Sequence, residues 1–200
     1  MKGSLIIVGF FVLGTLCGVC HLLPFDIAET NISYYALCAL MFSVGLSVGN
    51  DPQTLKNFRS LNPRLVFLPI MTILGTLAGS AAVSLILTHR SITDCLAVGS
   101  GFGYYSLSSI FISEYKGAEL GTIALLANIS REILTLLAAP LLVRWFGNLA
   151  PISAGGATTM DTTLPIITRT AGQQFVVVSI FHGFVVDFSV PFLVTLFCSI

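Results

Sequence analysis

Long apolar runs divided by short polar breaks organise this chain. Five of them, roughly 3–24, 32–50, 64–88, 119–147 and 172–200, are long enough to cross a bilayer as helices, which takes about 20 residues. Two further stretches, about 93–114 and 149–168, are apolar but crowded with Gly, Ser and Thr. That composition predicts helices that break partway or fold back. Irregular backbone is tolerated at membrane depth only where protein covers it or where it lines a cavity. The pattern predicts an all-α polytopic membrane protein, one integral membrane domain over 1–200. It has about five full spanning helices and two interrupted or re-entrant segments.

Composition supports the same reading. Of 200 residues 55% are hydrophobic and only 9% charged, against roughly 25% charged in a soluble domain. The mean hydropathy is +0.94. A net charge of zero argues against a nucleic-acid partner, and no Lys/Arg run suggests a polybasic lipid patch. "MKGSLIIVGFFVLGTLCGVCHLL" starts positive and continues apolar, as a signal peptide would. It has no clean small-x-small cleavage site and reads as a first spanning helix. "CGVCH" at 17–21 matches covalent haem attachment, but no second axial-ligand candidate lies nearby. The five cysteines lie in or at the ends of apolar segments, as packing residues do. No cofactor and no metal is expected.

Basic residues orient the chain. Lys2 precedes the first run, Lys56, Arg59 and Arg64 follow the second, and the loop between those runs holds only Asp26 and Glu29. The N-terminus is therefore expected in the cytoplasm and the C-terminus outside. If 93–114 folds back, Arg144 and Arg169 fall inside, with Arg90 and Lys116 outside. If it crosses, Lys116 and Arg144 exchange sides, and charge counting does not separate the two. An echo of "LGTLCG" (13–18) in "LGTLAG" (74–79) would suit a duplicated helix pair, though small-residue stripes are common in membranes.

Within 119–147, Glu132 falls almost at the centre. A charge there costs at least about 2.5–3.5 kcal/mol unless it faces protein or water. The helical period puts Gly121, Asn128, Glu132, Thr135 and Ala139 on one small, polar stripe. That stripe should face the interior, where a carboxylate could bind a cation or a proton. Arg131 points about 100° away around the helix, so its natural partner lies on another segment. Each of the two either serves function or takes part in an inter-helix ion pair that only fixes packing.

"GSGFGYYSLSSIFISE" (99–114) would unwind at Gly101 and Gly103, freeing backbone groups for a ligand. Tyr104, Tyr105, Ser106, Ser108 and Ser109 would add hydroxyls or an aromatic face; a close helix crossing would use the same residues. In "GGATTMDTTLPIITRTAG" (155–172) four threonines, Thr158 and Thr159 among them, surround Asp161. A helix starting there would aim its positive end at a substrate carboxylate, or Asp161 would simply cap it. His182 and Asp187 sit near the middle of the last run, about 140° apart. They offer a proton pathway or packing bonds. No GxSG elbow, HExxH or close acidic pair points to an enzyme.

Taken in order, "GSGFGYYSLSSI" (99–110), "NISRE" (128–132), "GGATTMDTTLPIITRTAG" (155–172) and "HGF" (182–184) resemble the LysO-type lysine exporter family. The resemblance implies export of L-lysine and analogues such as thialysine across the bacterial cytoplasmic membrane, with proton antiport as the coupling. It places the family's intramembrane glutamate at Glu132. Two departures stand out. Ile129 occupies a position where many members carry an acid, whose function is then lost or passes to another residue such as Asp187. Longer members also have an additional N-terminal membrane region without a counterpart here: either a separately encoded small membrane subunit supplies it, or this chain forms the pathway as a homo-oligomer.

Overall fold

The computed structural model describes residues 63–87 and 89–200, together with 13, 14, 16–20 and 46. The apolar runs at 3–24 and 32–50, and the echo at 13–18, therefore fall largely outside the described residues. Two compact units divide the chain, Met1–Ser60 and Leu61–Ile200. The second carries everything that follows.

It is helical throughout its described residues. Helix α1 (Phe67–Ser84) corresponds to the third apolar run. The stretch predicted to break at 93–114 forms α2 (Ile92–Gly99) and α3 (Tyr105–Lys116). Gly117 alone separates α3 from α4 (Ala118–Phe146), the 29-residue helix expected at 119–147. The second predicted break gives α5 (Ala150–Gly155), a 3₁₀ turn (Gly156–Met160) and α6 (Leu164–Ala171). Helix α7 (Val176–Ser199) closes the chain. Among the described residues three helical stretches, Phe67–Ser84, Ala118–Phe146 and Gln173–Ser199, are long and apolar enough to cross a membrane.

Ion pairs show how the first interrupted segment runs. Arg90, just before α2, bonds Glu119 in the first turn of α4. Lys116, at the end of α3, lies 3.7 Å from Asp94 in the first turn of α2. A helix crossing the membrane between residues 94 and 116 would hold those ends about 30 Å apart. Both ends instead sit at the start of α4, so residues 92–116 form a hairpin.

Residues 150–171 form a second hairpin from the other end of α4. Ile152 on α5, Ile167 and Ala171 on α6 and Val178 on α7 share one buried cluster, packed against Val143 and Leu149. Cys198, at the far end of α7, joins Ala97, Leu120 and Ala124 in the opposite cluster. A hairpin followed by a long helix thus occurs twice, in opposite directions. Inverted units of this kind are a recurrent architecture of membrane transporters.

The tips meet inside the molecule. The amide of Ala157 donates to the carbonyl of Phe102 at 2.9 Å. Gly156 takes φ +64°, and a Cβ there would run into the Phe102 carbonyl; Gly103 takes φ +95°, with the Gly155 carbonyl 3.2 Å from where its Cβ would be. Only glycine combines that backbone with such close approach. On the opposite side of α7, Phe184, Phe188 and Phe192 form an exposed stripe at four-residue spacing, the face expected to meet lipid.

Candidate functional site

Helix α4 presents the stripe anticipated from its period. Gly121, Asn128, Glu132, Thr135 and Ala139 are all buried, while Leu126, Leu134 and Leu137 on other faces are exposed. Buried polar groups need partners, and the stripe supplies them to the broken backbone around it.

Asn128 serves the first hairpin. Its Oδ1 accepts from the Gly103 amide at 2.8 Å, and its Nδ2 donates to the carbonyls of Ala124 at 2.9 Å and Val98 at 3.2 Å. Ser108 Oγ stands 3.5 Å from the same nitrogen. One amide therefore satisfies both sides of the break that Gly101 and Gly103 create. Gly101 is small because a Cβ there would strike the Asn128 amide and the Ser108 hydroxyl.

Arg131 serves the second hairpin. Nε donates to the Ala154 carbonyl at 2.8 Å, Nη2 to the Ser153 carbonyl at 3.0 Å and Nη1 to Thr76 Oγ1 at 3.3 Å. Its guanidinium also lies 5.9 Å from the centre of the Phe102 ring. The partner on another segment is thus not a carboxylate. It is the negative C-terminal end of α5, whose last carbonyls have no helical partner. Thr135 Oγ1 donates to the Arg131 carbonyl at 2.9 Å, and its methyl flanks Gly155.

Glu132 faces a different neighbourhood. Thr162 lies against its carboxyl group and against that of Asp161, and Glu132 and Asp161 are near enough to feel each other's charge. Tyr105, at the start of α3 and 37% exposed, senses both carboxyl groups. Asp187 on α7 is within electrostatic reach of Asp161. Asp161 follows the 3₁₀ turn and accepts from the Thr162 amide at 2.5 Å, while α6 begins three residues later at Leu164. Neither α3 nor α6 has a side-chain cap at its N-terminus. Glu132, Asp161, Asp187 and Tyr105, from four parts of the chain, are thus linked electrostatically, with Tyr105 and Asp161 close in sequence to the N-termini of α3 and α6.

Other expected residues are committed to the scaffold. Thr158 Oγ1 donates to the Gly155 carbonyl at 3.0 Å and Thr159 Oγ1 to the Ser179 carbonyl at 2.9 Å. His182 is fully buried, with Nδ1 3.2 Å from Thr159 Oγ1 and Nε2 2.9 Å from Thr72 Oγ1. It ties the second hairpin and α7 to α1. Tyr104 packs against the cluster around Phe102 and Ala97, and Ser109 donates to the Ser106 carbonyl at 3.2 Å. Among the described residues no group of three or more His, Cys, Asp or Glu is arranged to hold a metal ion. The sequence reading missed Thr162 and Phe102: one is a threonine among several, the other a phenylalanine whose carbonyl, not its ring, joins the tips.

A cavity of about 730 Å³ opens between α1, α2 and α4. It runs from Leu87, Arg90 and Asp94 at the hairpin mouth to Asn128 and Arg131 at its depth, along a mostly apolar wall.

Residues 8–198 match a family model described as "Lysine exporter LysO". The chain is 36% identical over 196 residues to the lysine exporter LysO of Escherichia coli (strain K12), a match over 98% of this chain and 64% of that protein. It is 34% identical over 196 residues to a Haemophilus influenzae (strain ATCC 51907 / DSM 11121 / KW20 / Rd) protein named "Putative lysine exporter", over 98% of this chain and 96% of that one. The chain thus spans 64% of the length of the Escherichia coli relative. No solved structure matches it.

Proposed function

The chain belongs to the lysine exporter LysO family, and we propose that it exports L-lysine from the bacterial cytoplasm in exchange for protons. The observation that carries this reading is Glu132, buried on the small, polar stripe of α4 in a multi-pass membrane protein, within electrostatic reach of Asp161 on the second hairpin. An ammonium group is recognised by carboxylates, and the same carboxylates can take a proton once it leaves. Occupancy by one cation or the other then gives exchange. Names of the relatives favour lysine over other cations, and thialysine, which keeps both amino groups and the carboxylate, would be accepted by the same contacts.

The rest of the zwitterion also finds complements. The uncapped N-termini of α3 and α6 carry positive partial charge, suited to a substrate carboxylate. The cavity beside Arg131 and Asn128 opens at the end that holds Arg90 and Lys116. With the hairpin geometry, positive-inside counting puts that end outside and Arg144 and Arg169 inside. Hairpins entering from opposite ends give each side of the membrane its own gate, as alternating access requires.

Glu132→Gln tests the reading. It keeps the shape and removes the charge, so cells fed lysine dipeptides should lose lysine efflux. Full efflux by that variant would overturn the assignment. Counterflow of labelled lysine into liposomes holding the purified chain alone, with and without a pH gradient, tests coupling and the need for a second subunit or an oligomer.

A further inference from the structure

Thr162 stands out among the described residues. Its hydroxyl oxygen is shut off from solvent and has no well-formed hydrogen bond, the one such buried side-chain atom among them, although it stands beside two carboxyl groups. A buried hydroxyl without a partner is destabilising, and each one asks for an explanation. The neighbouring threonines make the contrast sharper. Thr158, Thr159 and Thr163 all donate to backbone carbonyls between 2.8 and 3.0 Å. Thr162 instead lies against the carboxyl groups of Glu132 and Asp161.

We propose that Thr162 is a positioning residue of the acidic pair, whose hydroxyl links Asp161 to Glu132 so that the two share one proton. This rests on the transport reading above and adds how its proton is held. A hydroxyl both accepts and donates. With Asp161 protonated, its O–H donates to Thr162 Oγ while the Thr162 O–H donates to the Glu132 carboxylate. Shifting both protons along that chain leaves Asp161 ionised, Glu132 protonated and the hydroxyl intact with its bonds reversed. No atom is gained or lost. An ammonium group entering between the carboxylates from the cytoplasmic side displaces the shared proton to the water on that side and leaves the hydroxyl as an acceptor for one of its N–H groups.

The groups around this chain fit the assignment. Asp187 on α7 and Tyr105 on α3 lie within electrostatic reach. Arg131 is turned to the α5 carbonyls and His182 is held between Thr72 and Thr159. Neither cation forms an ion pair with Glu132 or Asp161, so the hydroxyl is left to join the carboxyl groups.

The test compares Thr162→Val, nearly isosteric but without the hydroxyl, with Thr162→Ser, which keeps it. Purified wild-type and variant chains in liposomes are assayed for counterflow of labelled L-lysine across a range of pH. Thr162→Val should lose about tenfold or more in rate, with its pH profile displaced by about one unit. Thr162→Ser should stay within about twofold of wild type on the same profile. Infrared titration of the protonated carboxyl band that Glu132→Gln removes gives a second readout without lysine. The pH at which that band disappears should be displaced in Thr162→Val and match wild type in Thr162→Ser. Wild-type rate and profile in Thr162→Val, or equal damage in both variants with an unmoved band, overturns the proposal. Retained counterflow in Glu132→Gln strikes the transport reading instead, and the infrared comparison still decides the link.

Discussion

The amide of Ala157 donates to the carbonyl of Phe102 at 2.9 Å, and through this bond the tips of two hairpins from opposite ends of the molecule meet. Each tip thereby satisfies backbone that its own hairpin cannot. Gly156→Ala should break the arrangement, since φ +64° with ψ −126° is a conformation that glycine adopts and L-residues avoid, and the new methyl would strike the Phe102 carbonyl. Thermal unfolding in detergent should shift down by several degrees, with lysine counterflow lost.

Asn128 gives a cleaner separation of donor and acceptor roles. Asn128→Asp keeps an acceptor for the Gly103 amide but turns a second oxygen toward the carbonyls of Val98 and Ala124. Replacing two donated bonds by repulsion inside the protein should cost about 2–3 kcal/mol. The variant should be less stable in detergent than Asn128→Ala, which removes the repulsion along with the bonds.

Arg131 holds two successive carbonyls with two different nitrogens. A lysine carries a point charge and cannot reproduce that fork. Arg131→Lys should therefore lose most of the transport rate while keeping the charge. Proteolytic nicking between residues 150 and 163 would report the loosened second hairpin. A wild-type cleavage pattern with wild-type transport would show that charge alone suffices.

Hairpin geometry also fixes a labelling pattern. In a cysteine-free background, Arg90→Cys and Lys116→Cys should react with a membrane-impermeant thiol reagent from the same side. Arg144→Cys and Arg169→Cys should react from the opposite side. Labelling of 90 and 116 from different sides would mean that the segment crosses.

Much of this was readable from residue types. The stripe on α4 follows from helical spacing, because small and polar residues at every third or fourth position amid Leu and Ile leave one face unsuited to lipid. Both breaks are announced by glycines flanked by hydroxyl residues. The course of 92–116 was not readable: crossing and folding back gave equal charge counts, and the deciding contacts join Arg90 to Glu119 and Asp94 to Lys116 across long sequence separations. The partner of Arg131 escaped for a different reason. Backbone carbonyls leave no mark in sequence, and only the C-terminal end of α5 makes Ser153 and Ala154 special. Thr162 was hidden among threonines that differ only in where their hydroxyls point.

The mutual satisfaction of the tips has a consequence for biogenesis. Before the second hairpin is made, Asn128 can already serve the first break, but the Phe102 carbonyl lacks the Ala157 amide that satisfies it, an orphaned acceptor that bare lipid does not accommodate. Completion of the first hairpin therefore depends on a stretch of chain synthesised some fifty residues later, and a chain released before Ala157 would carry that carbonyl unpaired.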